Sequence, residues 1–112
     1  MEAGNRPRVR EIFDGTPADL TVEPKSPFQL IDVTIIWDVA PTTPEEVIIT
    51  SINSDGDEVE ENAYIPATAS TTTIRRFDKR FDAGSSINVA YPNTDENAIT
   101  VNLRYQIDQS VV

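Results

Sequence analysis

Hydrophobic and polar positions alternate most cleanly near the end of the chain. Ile99, Val101, Leu103, Tyr105 and Ile107 fall on one phase, and Thr100, Asn102, Arg104, Gln106 and Asp108 on the other. Side chains of a strand alternate faces with period two, so this segment is a strand with one buried face and one wet face. A second long pattern runs from Phe28 to Val39. Ile31, Val33, Ile35, Trp37 and Val39 share one phase, while Phe28, Leu30 and Ile36 interrupt the polar one. β-branched enrichment without a helical stripe predicts a strand here, central in its sheet.

Shorter segments of the same kind fill the space between. Glu46 to Asn53 and Glu58 to Ile65 flank Ser54-Asp55-Gly56-Asp57. Asp-Gly between two extended runs predicts a hairpin, because glycine takes the positive φ that a tight turn needs. Further strands are expected at Leu20 to Glu23, before the Pro24-Lys25-Ser26-Pro27 turn, at Thr68 to Phe77, and at Ile87 to Tyr91. Turns are expected at Phe81 to Gly84 and Pro92 to Asn97. Half-buried strands at this spacing, with no heptads, repeats or helical pattern, predict an all-β fold. It is an antiparallel β-sandwich of about seven or eight strands, jelly-roll or immunoglobulin-like. Residues 20–112 form its single domain. Residues 1–19 carry Gly4, Pro7, Gly15 and Pro17 and lack sustained periodicity, so they read as an extended N-terminal arm with a short strand at Val9 to Phe13.

Composition narrows the chemistry. Cysteine and histidine are both absent, which removes disulfides, thiolate nucleophiles and imidazole as base or metal ligand. A formal net charge of −10 over 112 residues points away from direct nucleic-acid binding, which relies on clustered Lys and Arg. No run approaches the roughly 18 apolar residues of a membrane-spanning helix. The opening Met1 to Arg8 lacks the apolar segment of a secretory signal, so the protein is expected to be either cytosolic in the producing cell or exported by another route, such as release inside a particle.

The charge is unevenly placed. Glu45 to Glu61 holds seven carboxylates (Glu45, Glu46, Asp55, Asp57, Glu58, Glu60 and Glu61) and no cation, whereas Arg75, Arg76, Lys79 and Arg80 face only Asp78 within their stretch. Arg6, Arg8 and Arg10 make the arm basic as well. Basic residues interleaved with Phe77 and Phe81 suit single-stranded nucleic acid, but the overall acidity favours contacts with a neighbour's carboxylates. Arg6, Arg8, Arg10, Arg75, Arg76, Phe77, Lys79 and Arg80 are therefore the candidate partner interface. Asp55, Asp57 and Glu58 fall short of the spaced ligands of a calcium loop and read as a solvated hairpin tip, so no metal or cofactor is expected. Lys25-Ser26 lacks an oxyanion-hole signature, and paired carboxylates have no room for a walled cleft in so small a sandwich. Trp37 belongs to the core, with Tyr64 and Tyr91 as the better candidates for exposed aromatic contacts.

The order of features resembles that of small structural proteins of tailed bacteriophages. The matching pieces are Phe28-Gln29-Leu30-Ile31-Asp32-Val33, then Ala40-Pro41-Thr42-Thr43-Pro44-Glu45-Glu46-Val47-Ile48-Ile49, the Asp-Gly hairpin, and Gly84-Ser85-Ser86-Ile87-Asn88-Val89-Ala90-Tyr91-Pro92-Asn93-Thr94. The resemblance covers about the last three-quarters of the chain and carries no catalytic residue. It implies a non-enzymatic virion protein, foremost a capsid decoration or cement protein that binds a larger shell through its arm and strand edges. Its partners would be other virion proteins and copies of itself, with no membrane and no small-molecule substrate. A tail or neck component, or a module that binds carbohydrate on a host surface, is the alternative.

Overall fold

The computed structural model describes residues 7–107. In chain order they form β1 (Arg8–Asp14), β2 (Ala18–Val22), β3 (Phe28–Trp37), β4 (Val47–Ile52), β5 (Glu58–Tyr64), β6 (Thr72–Phe81), β7 (Ser86–Tyr91) and β8 (Ala98–Ile107). The Asp-Gly hairpin is the tip of a long antiparallel ribbon. Gly56 takes a φ of +89°, and Asn53 Oδ1 accepts the Asp55 and Asp57 N–H groups, each at 2.9 Å. Outward from that tip, β4 pairs with β5, β3 with β6, β2 with β7 and β1 with β8. The ribbon then wraps, so that β3 also meets β8 and β4 also meets β7. Two four-stranded sheets result, β1-β8-β3-β6 (the first sheet) and β2-β7-β4-β5 (the second sheet). This order is the jelly roll, not the immunoglobulin arrangement.

The core lies between the sheets. Leu30, Val33, Ile35, Val47, Ile49, Ile87, Val89, Ile99, Val101 and Leu103 are fully buried. Phe28 stacks on Phe81 at 5.3 Å and meets Tyr105 edge-on at 5.9 Å, while Trp37 packs edge-on against Tyr91 at 5.6 Å. Each fully buried Leu, Ile or Val contributes about 1.5–3 kcal/mol relative to an exposed one.

β3 departs from simple alternation. Its pairing shifts register between Leu30 and Asp32, with one extra residue opposite β8. A bulge of this kind changes which phase faces inward. Phe28 and Leu30 therefore reach the core from one phase, and Val33, Ile35 and Trp37 from the other. Ile31, expected in the core, is the inserted residue and is only half-buried. Val39, expected on the same face, lies beyond the end of β3 and is 59% exposed. Tyr105, also assigned to the core, packs against it while staying partly exposed.

The domain boundary moves as well. Arg8–Asp14, expected within the arm, pairs along its length with β8, and Val9 and Phe13 pack against the core. β2 begins at Ala18, so the sandwich starts at Arg8 and not at residue 20. Of the arm, residues 1–6 lie outside the described residues. β6 begins later and runs further than expected, so the whole basic stretch is strand.

One end of the sandwich is tied by polar loops. Asn93 is buried and sits at a φ of +55°, donating from Nδ2 to the Thr16 and Asn97 carbonyls, both at 2.9 Å. Asp95 accepts the Thr42 and Thr43 N–H groups at 2.6 and 3.0 Å and the Thr43 hydroxyl at 2.6 Å. These contacts, hydroxyl first, lower its pKa to about 2. The β1–β2, β3–β4 and β7–β8 connections are joined through these two residues.

Leu103 is fully enclosed at the centre of the core, so Leu103→Ala should cost about 2–5 kcal/mol in urea unfolding. A loss below about 0.5 kcal/mol would refute its placement.

Asp95 is held below the ordinary carboxylate value of 3.8, so its contribution to stability is present above about pH 4 and is lost as pH falls through about 2. Asp95→Asn should therefore melt below wild type at pH 7, with the gap narrowing from about pH 4 to about pH 2. A gap that stays constant across that range would contradict the clamp.

Candidate interaction site

Alternation in β6 divides the basic stretch in two. Thr73, Arg75, Phe77, Lys79 and Phe81 turn toward the second sheet, while Ile74, Arg76, Asp78 and Arg80 turn outward. Phe77 and Phe81 pack on the core. Arg75 lies over the Tyr64 ring at 3.7 Å, a cation–π contact across the gap between β6 and β5. Burial pushes the Tyr64 hydroxyl pKa up, opposed by its hydrogen bond with Thr73 and by the Arg75 charge. Lys79 Nζ donates to both Glu61 oxygens at 2.9 and 3.1 Å, and the Ser51 hydroxyl donates to Glu61 at 2.7 Å. Glu61 is the extra residue of a bulge in β5, which turns its side chain toward this margin. Acidic and basic stretches thus meet within the fold, at one margin of the sandwich.

The outward residues assemble a different feature. β1, β8, β3 and β6 align Arg8, Arg104, Asp32 and Arg76 in one row across the outer face of the first sheet. Arg104 Nε donates to the two Asp32 oxygens at 3.0 and 3.1 Å, and Arg104 Nη2 makes a further bond to Asp32. That bonding raises the Arg104 pKa, and the Asp32 charge adds to it. Asp32 is buried and accepts three hydrogen-bond contacts from this one guanidinium. Arg8 and Arg76 flank the pair without an ion pair among the described residues. The row lines an open groove of about 350 Å³, with Thr34, Ile36, Ile74 and Asn102 alongside. Such a groove can receive carboxylates through planar, bidentate guanidinium contacts.

Of the residues expected at an interface, Arg8 and Arg76 come together here. Arg10 sits one row along, opposite Asn102, and Arg80 lies opposite Gln29. Arg75, Phe77 and Lys79 are engaged inside the chain, and Arg6 lies outside the described residues. Tyr91, expected to be exposed, is 2% exposed against Trp37, and Tyr64 is half-covered by Arg75. Asp32 and Arg104 were missed. The available signal was a carboxylate set inside the longest apolar strand, which demands a partner.

The strand-borne cations are sorted by sheet, while carboxylates fall equally in both, with Glu11, Asp14, Asp32 and Asp78 in strands of the first. Seven of the nine Lys and Arg residues lie in strands of the first sheet: Arg8, Arg10, Arg75, Arg76, Lys79, Arg80 and Arg104. Strands of the second sheet carry none, and hold Asp19, Glu58, Glu60 and Glu61. Its outer face has a shallow cleft of about 550 Å³ lined by Pro17, Ala18, Asp19, Glu46, Ile48, Asn88, Ala90, Tyr91 and Pro92.

No protein-family model and no curated protein matches the chain. Among solved structures, it is similar to the mitogen of Yersinia pseudotuberculosis, with a TM-score of 0.52 and 7% identity over 96% of this chain and 90% of that one. It is also similar to the nucleoplasmin-like N-terminal domain of Drosophila FKBP39, with a TM-score of 0.51 and 12% identity over 100% and 99% of the two chains. At these identities the likeness is one of fold. The chain is an eight-stranded β-sandwich of jelly-roll type with one basic and one acidic outer face.

Removing the carboxylate from the row should matter more than breaking the exposed margin pair. Asp32→Ala leaves Arg104 facing two further guanidiniums and should cost about 1–2 kcal/mol, below the figure for a fully buried pair because Arg104 is 42% exposed. Lys79→Ala should cost under about 1 kcal/mol, since Lys79 is 53% exposed. Urea unfolding of both variants checks the order, and the reverse order would contradict this account of the outer face.

Proposed function

We propose that this chain is a non-enzymatic assembly protein whose basic face attaches to carboxylate-bearing protein surfaces. The observation that carries the reading is the confinement of strand-borne cations to the first sheet of a chain whose net charge is −10. Arg8 and Arg76, without an ion pair among the described residues, lie beside the exposed Ile36 and Ile74 and suit a protein interface, where Arg is enriched and buried apolar area supplies most of the affinity. β1 adds an edge strand with a row of backbone groups open to pairing, beside Ile12 at 59% exposure. Together with the resemblance to small structural proteins of tailed phages, this supports a virion component, and a capsid decoration or cement protein before a tail or neck part. A carbohydrate platform has less support, because Trp37 and Tyr91 pack on each other in the core.

The test is mass spectrometry of purified particles, combined with re-attachment to particles stripped of the chain. The protein should be present in many copies, and the R8E/R76E variant should attach at least about tenfold more weakly than wild type, equivalent to about 1.4 kcal/mol. Absence from the particles, or equal attachment of the two proteins, would overturn the reading.

A further inference from the structure

The two outer faces of the sandwich complement each other, and we propose that the basic face of one copy docks on the acidic cleft of the next. This rests on the assembly reading above and names its partner, a second copy of this chain. On the first sheet, Ile36 and Ile74 are each 42% exposed and lie diagonally across β3 and β6, close enough to act as one apolar patch. The Arg8, Arg104 and Arg76 row borders it. On the second sheet, Ile48 and Ala90 form a paired floor between the walls Pro17 and Pro92, with Asp19 and Glu46 at the rim. Asp19 accepts a hydrogen bond from Asn88 Nδ2 at 2.7 Å, a neutral donor, and neither rim carboxylate has a cation partner among the described residues. An apolar patch flanked by guanidiniums thus faces one way, and an apolar floor flanked by carboxylates faces the other.

These surfaces lie on opposite sides of a body whose shortest extent is 20 Å, so they cannot meet within one chain. Basic on basic and acidic on acidic are both repulsive, which excludes a two-fold dimer through either face. The pairing is therefore head-to-tail, and each added copy leaves one basic and one acidic face open. Such an interface closes into a ring if its rotation permits and otherwise extends as a filament. A single sheet face is at the small end of stable interfaces, so association is concentration-dependent and weakens with salt.

Analytical ultracentrifugation of the full chain tests the proposal. Between about 10 µM and about 1 mM, the average mass should rise in about 0.05 M salt and fall back in about 0.5 M. Arg76→Glu disables only the basic face, and a D19K/E46K variant disables only the acidic one. Circular dichroism establishes that both are folded, with Arg76→Gln as a milder substitution expected to weaken association to an intermediate degree. Each charge-reversed variant alone should associate at least about tenfold more weakly than wild type. Mixed together, they should regain association, since each brings one wild-type face to the other and the two reversed faces also carry opposite charges. A wild type that stays monomeric throughout, or a mixture that forms no dimer, overturns the proposal. If the monomeric wild type nevertheless attaches to particles and R8E/R76E does not, only the self-docking fails and the assembly reading stands. If copies associate as described but particles lack the chain, the virion reading fails and self-docking stands.

Discussion

One inserted residue in β3 keeps this structure in phase. β3 is an inner strand of the first sheet, hydrogen-bonded to β8 on one side and β6 on the other. Without the bulge at Ile31, period-two alternation would bury either Phe28 and Leu30 or Val33, Ile35 and Trp37, but not both sets. With it, the Phe28 aromatic cluster and the Trp37–Tyr91 pair occupy opposite ends of one continuous core. The same shift carries Asp32 to the outer face, opposite Arg104 and Arg76. Core packing and the charged groove are thus two results of one local irregularity.

The architecture was legible where a strand's own pattern specifies it. β8 alternates without a break, and the Asp-Gly hairpin carries its own turn chemistry, so both read directly from the chain. β1 read only in part: a short strand was expected at Val9 to Phe13, but not its place in the sheet, because Val9 and Phe13 are its core contacts and Ile12 falls on the outer phase. Its position is set by the open edge of β8, a partner far away in sequence. The bulge was visible only as a disturbance, the apolar Phe28 and Leu30 on a phase expected to be polar. A break in alternation says that something gives way and leaves open where it does.

The site followed the same division. A run of basic residues can be read from a sequence, but alternation sends its members to two sides of a strand. Arg75 and Lys79 fasten β6 to β5, while Arg76 joins Arg8 and Arg104 from two other strands. That convergence depends on register, which composition does not encode. The acidic cleft left still less trace, since Ala90 and Ile48 are ordinary strand residues until the sheet places them side by side between two prolines.

The wrapping of the ribbon also sets an order in time. Pairing β4 with β5 closes a short loop, whereas pairing β1 with β8 joins the most distant strands of the fold, and loop-closure entropy grows with separation. On a ribosome β1 emerges first and then waits until the last strand of the sandwich is made. Until then Val9 and Phe13 have no sheet to cover, and the edge of β1 stays open to strands of other chains. β1 carries Glu11 and Asp14 as well as Arg8 and Arg10, so it has no net charge. Charge therefore gives that waiting edge no general protection, and two such strands laid antiparallel could even match Arg8 with Asp14.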